Sequence, residues 1–513
     1  MFAKIYSAAV FGVDAYEVEI EVNSAGGLPA IVVVGLPDAA VKESKDRVTT
    51  AISNSGYYWP RGRTTVNLAP ADIKKEGPSF DLPIALGMIA CSLETDTTEF
   101  SHYSFVGELA LDGAVRAVKG VLPVAIEARR RGKKALFVPA ANAQEAAMVK
   151  GIAVYGVRNL RETFSFLSGE CTLQPTRGDL EKFFATHQSY EVDFADVKGQ
   201  GHVKRAMEVA VAGGHNILMV GPPGSGKSML SKRIATVIPP MSLEEAIETT
   251  KIHSIAGLLT PEQSFVPTRP FRSPHHTISD IGLLGGGAIP NPGEVSLAHN
   301  GVLFLDELPE FPRNVLEVMR QPLEDGTVCI ARASMSLTFP ARFMLAAAMN
   351  PCPCGFFNDR SRDCHCTQPM IQRYMQKISG PLMDRIDIHI DVPAVNYKEM
   401  RAAAEPEGSS CIRDRVVKAR EIQQRRFSSS SRIRVYSNAQ MSARNIRTFC
   451  ELSADCERLL ERAMSQQGLT ARAHDRILKV SRTVADLEGS GAIEPKHIAE
   501  AIQYRSLDRV FWA

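Results

Sequence analysis

Residues 216–231 read NILMVGPPGSGKSMLS, a short apolar run followed by a glycine-rich turn and the start of a helix. Gly221, Gly226, Lys227 and Ser228 fit the phosphate-binding pattern G-x-x-x-x-G-K-[ST] without a mismatch. Glycine lets the backbone approach a phosphate closely, and the helix that follows directs the positive end of its dipole to the same place. The stretch therefore predicts a buried strand, a phosphate loop and a helix, the local unit of an α/β nucleotide-binding fold.

The loop itself supplies the expected nucleotide contacts. They are Gly221, Pro222, Pro223, Gly224, Ser225, Gly226, Lys227 and Ser228. We expect Lys227 to reach the β- and γ-phosphates of ATP and the Ser228 hydroxyl to bind Mg²⁺. The alternative, a chance glycine-rich turn between a strand and a helix, is disfavoured by the spacing and by the apolar run before it. Residues 197–202, VKGQGH, precede the loop as a segment on the adenine side would.

A second motif, GVLFLDE at residues 301–307, places two carboxylates directly after an apolar run. Such a run is typical of a strand buried on both faces, and ligands bind where parallel strands of this kind end. We expect Asp306 to join the Mg²⁺ shell and Glu307 to polarise the attacking water. The alternative is a strand followed by a solvated acidic turn. Asn350 follows another apolar run, residues 343–349, and either orients the attacking water or caps the turn at Pro351.

Composition excludes several classes of protein. At 513 residues the chain should form about three domains. Its formal charge of +2 shows no global basicity, so any contact with a polyanion must be local. No apolar run approaches the ~20 residues that a membrane span needs, and Asp14 interrupts the short apolar stretch after Lys4. We therefore expect a cytoplasmic protein that does not contact membranes.

Four of the ten cysteines, Cys352, Cys354, Cys364 and Cys366, form a C-x-C pair, a short polar loop and a second C-x-C pair. Four thiolates suit tetrahedral Zn²⁺, and the loop NDRSRD between the pairs offers no core to bury them. The spacing differs from the common C-x₂-C knuckle, so reduced free thiols remain the alternative. His365 can replace one ligand. A structural zinc is favoured over a catalytic one, because no coordination position is left open.

Residues 1–168 alternate strand-like runs with helical periods, which predicts an α/β domain. Within it, KEGPSFDLPIAL (75–86) and GELALDGAVRAVKGVLPVAIEARRRGKKALFVP (107–139) resemble the proteolytic domain of the Lon family. Ser79 matches the nucleophile of that family, but Leu122 occupies the position of its catalytic lysine. Leucine cannot accept a proton, so we expect a Lon-like fold without proteolysis. Ser79 is then expected in a turn or as the N-cap of an apolar helix that has Asp81 in its first turn.

A long insertion at residues 239–300 separates the two nucleotide motifs. Connections of this length are usually functional or mobile. It contains Arg269, Arg272, His275 and His276. Adjacent histidines point apart on most backbones, so we expect the pair to be polar loop residues and not a metal site. Further on, residues 327–339 alternate in two runs, which predicts a β-hairpin with Arg332 at or near its tip.

Several blocks together resemble the magnesium-chelatase-related AAA+ ATPases: the insertion before GVLFLDE, the hairpin before AAAMNPCPCG, and GPLMDRIDIHIDV. With the Lon-like domain and the SPHHT and PCPCG blocks, the chain is identified as a member of the ComM/YifB family over nearly its whole length. The resemblance implies a homohexameric ring ATPase that uses ATP and Mg²⁺. It further implies branch migration on single-stranded and branched DNA during integration of transforming DNA.

The resemblance also assigns roles to three side chains. Asn350 is expected as sensor 1, Arg385 as the arginine finger that reaches the γ-phosphate of a neighbouring subunit, and Arg472 as sensor 2. An arginine supplied in trans raises the rate by ~10³ or more, so the active unit should be an oligomer. Taken alone, each arginine is equally compatible with a surface ion pair.

The predicted architecture is an AAA+ P-loop α/β domain with a helical lid, preceded by the Lon-like α/β domain. Its parts are 1–168 (Lon-like, non-proteolytic), 169–192 (linker), 193–396 (AAA+ core with insertion, hairpin and cysteine loop) and 397–513 (helical lid). The basic run 413–434 is interpreted as a solvated helix face. The favoured function is a DNA motor whose Arg332 tracks the phosphate backbone. The alternative is a chelatase-type or MoxR-type remodeller of a protein partner, and Leu122 weakens a third option, an ATP-dependent protease.

Overall fold

The structure is a computed structural model, and it describes most of the chain. Outside the described residues lie 61, 72–74, 76, 179–189, 191, 261–262, 288–289, 333–334, 360–361, 395–406, 429–434, 468–469, 506 and 508–513. The expected linker 169–192, the start of the expected lid and the end of the basic run 413–434 fall partly on these residues.

The described strands are β1 (Phe2–Phe11), β2 (Asp14–Ala25), β3 (Ala30–Val34), β4 (Arg63–Ala69), β5 (Tyr103–Phe105), β6 (Glu108–Leu109), β7 (Val115–Arg116), β8 (Ala135–Pro139), β9 (Ala153–Val157), β10 (Ile217–Val220), β11 (Phe271–Arg272), β12 (Gly285–Gly286), β13 (Asn291–Pro292), β14 (Val302–Leu305), β15 (Thr327–Arg332), β16 (Met335–Pro340), β17 (Met344–Met349) and β18 (Ile388–Asp391).

The described α-helices are α1 (Ala39–Asn54), α2 (Asp81–Leu93), α3 (Val121–Arg130), α4 (Ala143–Ala147), α5 (Leu160–Leu167), α6 (Gly201–Gly213), α7 (Lys227–Val237), α8 (Leu243–Ala256), α9 (Asp280–Leu284), α10 (Glu294–Leu297), α11 (Arg313–Val318), α12 (Arg320–Asp325), α13 (Gln368–Met375), α14 (Gly380–Met383), α15 (Ser409–Ser428), α16 (Ala443–Phe449), α17 (Ala454–Gln467), α18 (Ala471–Leu487) and α19 (Pro495–Gln503). Within these residues, none of the helices combines the length and apolar character that a membrane crossing requires.

The chain divides into two compact units. The first comprises Met1–His187, Leu243–Pro267 and Ala331–Phe339, and the second comprises Gln188–Ser242, Thr268–Ile330 and Pro340–Ala513. The first unit contains a four-stranded sheet of order β1-β2-β4-β3 and a parallel three-stranded sheet of order β5-β8-β9. Strands β1 and β2 are antiparallel, and alternate side chains along them are buried, as expected for a sheet with one covered face.

Helix α2 is the central helix of this unit, and all of its residues from Asp81 to Cys91 are buried. Ser79 is not its N-cap. It lies in a 3₁₀ turn, Pro78–Phe80, that runs directly into α2, with Phe80 in the cap position. The turn expected for Ser79 is therefore present, and Asp81 stands in the first turn of the helix as predicted.

Helix α8 comes from the long insertion between the two nucleotide motifs, yet it groups with the first unit. Its Ser254 hydroxyl hydrogen-bonds the buried carboxylate of Glu145 at 2.5 Å, and the same carboxylate accepts the backbone N–H of Leu122 at 2.9 Å. Burial raises the pKa of Glu145, while these hydrogen bonds oppose the shift. Leu122 itself is buried at the start of α3. The first part of the insertion is thus an ordered helix that packs with α3.

The second unit is built on a five-stranded parallel sheet of order β11-β14-β17-β10-β18. Strand β10 comes first along the chain but lies between the fourth strand, β17, and the fifth, β18. The strand order therefore reverses beside β10, and the crevice beyond its carboxyl end is where an open α/β sheet binds ligands. Val220 pairs with Met349, so the residues that follow β10 and β17 emerge side by side.

The C-terminal residues are helical, with α15 to α19 following the sheet. The basic run is not simply a solvated face, because α15 packs against α6 and α7 through Ile412, Val416 and Ala419. Several of its arginines are also bonded within the chain: Arg413 to the carbonyl of Thr236, Arg415 to Glu208 and Glu407, Arg420 to the carbonyl of Val211, and Arg426 to Asp486. The interpretation as a solvated face was wrong for these side chains, since single-sequence charge patterning does not reveal which carboxylates and carbonyls face the helix.

A buried polar network joins the sheet to α18. The Asp387 carboxylate, just before β18, is 2.9 Å from Nδ1 of His215 and bonds the guanidinium of Arg476. The other ring nitrogen of His215 lies 2.8 Å from the Thr483 hydroxyl. Burial opposes ionisation of Asp387, but Arg476 and His215 hold the pKa of its carboxyl well below its usual range. The network fixes the position of α18 relative to the strand ends.

Candidate functional site

The phosphate loop follows β10 and leads into α7, as its motif predicts. Gly224 and Gly226 have φ of +79° and +89°, a left-handed conformation that favours glycine. At Gly221 a Cβ atom would stand 2.2 Å from the carbonyl oxygen of Val392, so no larger residue fits there. Helix α7 begins at Lys227 without a side-chain cap, which leaves its first N–H groups available to an anion. The loop therefore fits a nucleotide phosphate.

The Lys227 ammonium is folded back over the loop. Its Nζ donates to the carbonyls of Gly221 at 2.8 Å and Pro222 at 2.9 Å, and to Oδ1 of Asn350 at 3.3 Å. Burial lowers the pKa of Lys227, while the carboxylates of Asp306 and Glu307 oppose the shift. Lysine and asparagine are thus brought together from the ends of two neighbouring strands.

Ser228 and Asp306 form the part of the site that suits Mg²⁺. The Ser228 hydroxyl donates a hydrogen bond of 2.6 Å to Oδ2 of Asp306, although the two residues follow different strands. A hydroxyl and a carboxylate oxygen at this spacing are hard oxygen donors of the kind Mg²⁺ prefers. Both residues therefore fit the predicted metal shell beside the phosphate loop.

Glu307 has a left-handed backbone, with φ 52° and ψ 48°. This backbone conformation is uncommon for a residue other than glycine and costs conformational free energy. It persists where the surrounding structure holds the residue in place. Its carboxylate is 57% exposed and lies 3.4 Å from Nδ1 of His276. The carboxylate is therefore open to water, as a residue that polarises water must be.

His276 is a site residue that the sequence did not reveal. The rings of His275 and His276 lie 4.1 Å apart at an interplanar angle of 34°, so the expectation that adjacent histidines point apart was wrong here. Nδ1 of His275 is bonded to the hydroxyl of Thr277, while His276 faces Glu307. The pairing depends on the path of the insertion, and the only sequence signal was the SPHHT block itself.

Gln200, from the VKGQGH segment, supports the phosphate loop from behind. Its amide nitrogen donates to the carbonyl of Ser225 at 2.9 Å and to that of Pro393 at 3.0 Å. Gln200 is buried and has a φ of 52°. The segment therefore contacts the phosphate loop. Through its amide, Gln200 connects the loop at Ser225 to the residues that follow β18.

The two arginines assigned by resemblance lie apart from the loop contacts just described. Within one chain, Arg385 is 8% exposed and bonds the carboxylate of Glu324 and the carbonyl of Pro381. Arg472, near the start of α18, is 65% exposed and lies 3.5 Å from Asp384. The ion-pair alternative is thus what a single chain displays, and the roles as arginine finger and sensor 2 stay predictions.

The insertion arginines have structural partners. Arg269 donates to the carbonyls of Pro239 and Asn300, and Arg272 forms a paired contact with the Glu294 carboxylate at 2.6 Å for each bond. The predicted hairpin is present as β15 and β16. Arg332 is the last residue of β15, and its side chain lies outside what the structure describes.

The four predicted cysteines converge. The sulfur atoms of Cys352, Cys354, Cys364 and Cys366 all lie within 4.8 Å of one another, the one such cluster of metal-binding side chains in the described residues. The Cys352 sulfur is 3.3 Å from that of Cys354 and 3.7 Å from that of Cys364. Sulfurs bound tetrahedrally to Zn²⁺ at about 2.3 Å stand about 3.8 Å apart, so the donor set fits this metal.

Three family models match the chain. One described as "Subunit ChlI of Mg-chelatase" matches residues 20–142. One described as "Magnesium chelatase, subunit ChlI" matches residues 193–400. One described as "Magnesium chelatase, subunit ChlI C-terminal" matches residues 406–505. Together they match parts of both units.

Relatives match over the whole chain. The competence protein ComM of Haemophilus influenzae is 44% identical over 99% of this chain and 98% of its own length. The protein YifB of Salmonella typhimurium is 42% identical over 99% of this chain and 98% of its own length. A distant similarity, 23% identity over 62% of this chain and 39% of the other, connects it with the DNA replication licensing factor Mcm6 of Drosophila melanogaster. The chain belongs to the ComM/YifB family of magnesium-chelatase-related AAA+ proteins.

Proposed function

We propose that this protein is an ATP-driven DNA motor that works as a homohexamer and promotes branch migration during integration of transforming DNA. The observation that carries the proposal is the convergence of Lys227, Ser228, Asp306, Glu307 and Asn350 at one edge of the parallel sheet. Full-length similarity to a protein named for competence, and distant similarity to one named for DNA replication, supports DNA as the partner.

The residues divide the work of ATP hydrolysis. Lys227 releases its backbone carbonyls and binds the β- and γ-phosphates. Ser228 and Asp306 hold Mg²⁺, which when bound neutralises charge on the phosphates. Glu307 polarises the attacking water, and Asn350, already bonded to Lys227, orients that water. His276 orients the Glu307 carboxylate from the insertion side.

Two further residues act between chains. Arg385 acts as an arginine finger on the neighbouring protomer's nucleotide and exchanges Glu324 for a phosphate in doing so. Arg472, exposed at the start of α18, reaches the nucleotide as sensor 2 when the C-terminal helices close as a lid. The role of Arg385 requires an oligomer, and the role of Arg472 requires a closed lid.

DNA is contacted without reading its sequence. Arg332, at the end of β15 in the hairpin, binds the phosphate backbone in the central pore of the ring. We do not assign this role to Arg415, Arg420 or Arg426 of α15, because each is bonded within the chain. A single basic residue repeated around a ring suits a motor that moves along single-stranded and branched DNA of any sequence.

The test is the rate of ATP hydrolysis without DNA and with single-stranded, duplex and four-way junction DNA. We expect DNA to stimulate hydrolysis, with Arg332→Ala abolishing the stimulation and leaving the basal rate intact. Arg458→Ala, at a surface arginine that is 68% exposed, is the matched control and should retain the stimulation by DNA. A rate that no DNA changes, with an Arg332→Ala variant that behaves like the wild type, contradicts a DNA motor.

A second candidate is a chelatase-type or MoxR-type remodeller that acts on a protein partner without nucleic acid. It is favoured by the description of the three matching family models, which all name magnesium chelatase. A hydrolysis rate that responds to a co-purifying protein and to no DNA supports this candidate over the motor.

The N-terminal unit is Lon-like in this proposal and has no protease activity. Leucine stands at position 122, where the Lon family has its catalytic lysine. The Leu122 side chain is buried, and its backbone N–H donates a hydrogen bond to the Glu145 carboxylate, so this position supplies no base. We expect no casein cleavage in the wild type. Cleavage that disappears in Ser79→Ala would contradict the assignment.

The protein works in the cytoplasm, where reduced thiols persist, and Cys352, Cys354, Cys364 and Cys366 bind one structural Zn²⁺.

A further inference from the structure

The cysteine loop, residues 351–367, connects the catalytic asparagine to the next helix. It begins directly after Asn350 and ends at α13, which starts at Gln368. The side chain of Tyr374, on α13, lies near the backbone of Asn350. The cysteine loop therefore begins directly after the residue that bonds Lys227.

The cysteine loop also touches the phosphate loop. Gly355 has a φ of +87°, and a Cβ atom placed on it would stand 2.5 Å from Cδ and 2.8 Å from Cγ of Pro223. The same Cβ would stand 3.8 Å from Cγ of Asn350. Gly355 is held in this position by its N–H, which donates to the carbonyl of Cys352 at 3.0 Å. The Gly355 backbone thus lies directly beside Pro223 of the phosphate loop and close to the Asn350 side chain.

The two arms of the cysteine loop meet at the four cysteines. Its described residues form no helix or strand, and of the four cysteines only Cys352 is buried. Ordering a backbone costs conformational entropy, which the burial of an apolar core normally offsets. Here the four sulfurs, clustered within 4.8 Å, connect the two arms of the loop, together with the Arg362 guanidinium, which lies 5.2 Å from the centre of the Phe356 ring. Metal binding to such a set is directly coupled to local folding.

We propose that the metal bound by Cys352, Cys354, Cys364 and Cys366 sets the shape of the ATP site: the tetrathiolate Zn²⁺ loop holds Gly355 against Pro223 and fixes Asn350 beside Lys227. This inference rests on the zinc assignment of the proposed function but not on DNA. Loss of the metal frees the cysteine loop, and the phosphate loop loses the wall that Gly355 provides. The affinity for nucleotide therefore depends on metal occupancy.

The first experiment measures the metal and the nucleotide separately on the full-length protein. We expect one zinc per chain by elemental analysis, and tetrahedral thiolate bands after exchange for Co²⁺. Removal of zinc with a chelator under reducing conditions should weaken binding of a fluorescent ADP analogue roughly tenfold, and added Zn²⁺ should restore it. Metal-free protein as purified, or ADP affinity that chelation leaves unchanged, overturns the proposal.

Substitutions separate the metal from the contact. Gly355→Ala keeps all four thiols but places a methyl group against Pro223, so zinc content should stay at the wild-type value while ADP affinity falls. Cys364→Ser should lower both zinc content and ADP affinity. Cys411→Ser, at an exposed cysteine on α15 outside the cluster, should change neither. Normal ADP affinity in Gly355→Ala contradicts the contact even if Cys364→Ser fails to fold. These assays contain no DNA, so failure of the DNA motor would leave their result intact.

Discussion

The Ser228 hydroxyl donates a 2.6 Å hydrogen bond to the carboxylate of Asp306, across the gap between the ends of β10 and β14. Neither residue is near the other in sequence. The parallel sheet brings them together because β17 alone separates these two strands. The pair is the point at which the phosphate-loop motif and the acidic motif become one site.

The first prediction concerns magnesium. Asp306→Asn should raise the Mg²⁺ concentration needed for half-maximal ATP hydrolysis about tenfold or more, because an amide oxygen replaces a charged ligand. A Mg²⁺ titration of the hydrolysis rate measures this. Asp455→Asn, at an exposed carboxylate on α17, is the control and should leave the titration unchanged. An unaltered Mg²⁺ requirement in Asp306→Asn would refute the assignment of this carboxylate.

The second prediction concerns the histidine pair. His276→Ala should lower kcat for ATP hydrolysis about tenfold, or ~1.4 kcal/mol, with little change in KM, because it removes the group that orients Glu307 and makes no expected contact with the nucleotide. His275→Ala is the matched control, since His275 bonds Thr277. Steady-state kinetics of both variants decide the matter, and equal rates for the two would show that the 3.4 Å contact of His276 has no catalytic role.

The third prediction concerns the buried network at Asp387. Asp387→Asn leaves Arg476 without its carboxylate partner, and breaking a buried pair in this way costs about 3–5 kcal/mol. The pKa of Asp387 is lowered in the folded protein, so its stabilisation is present above the unfolded value of about 3.9 and is lost as pH falls through the folded value. The wild type should therefore exceed the variant in stability at pH 7, by a margin that shrinks at strongly acid pH.

Calorimetric unfolding of both proteins from pH 7 down into the acid range measures this margin. Asp455→Asn again serves as the control, because Asp455 is 71% exposed and its ion pair is on the surface. A margin that stays constant with pH would mean that ionised Asp387 does not stabilise the fold.

Much of the nucleotide site could be predicted from sequence, because each part is a contiguous motif with its own local geometry. The glycines of the phosphate loop, the apolar run before Asp306 and the strand before Asn350 each define one strand end. Parallel strands that end at one edge then bring these residues together. The four cysteines converge for a similar reason, since a short loop joins the two pairs.

The rest depends on tertiary path, which one sequence does not specify. The contact between His276 and Glu307 requires that the insertion return to the sheet edge at one particular angle. Helix α8 groups with the N-terminal unit through Ser254 and Glu145, neither of which carries a motif. Ser79 lies in a 3₁₀ turn and not at the N-cap, because Pro78 and Phe80 extend the helical turn by one step. The partners of Arg415 and Arg426 are equally non-local.

The predicted role of Arg385 needs a second chain. Within one chain it is paired with Glu324 and almost fully buried. In a ring it should leave this partner and complete the ATP site of its neighbour, where Lys227 and Glu307 come from the other chain. Lys227→Ala and Arg385→Ala should each be inactive alone, for different reasons.

The decisive measurement is ATP hydrolysis by a mixture of Lys227→Ala and Arg385→Ala chains that have been shown to assemble together. We expect the mixture to recover hydrolysis, because some interfaces between chains then combine an intact Lys227 with an intact Arg385. No recovery in co-assembled rings, or a solitary wild-type chain that hydrolyses ATP at the full rate, would contradict it.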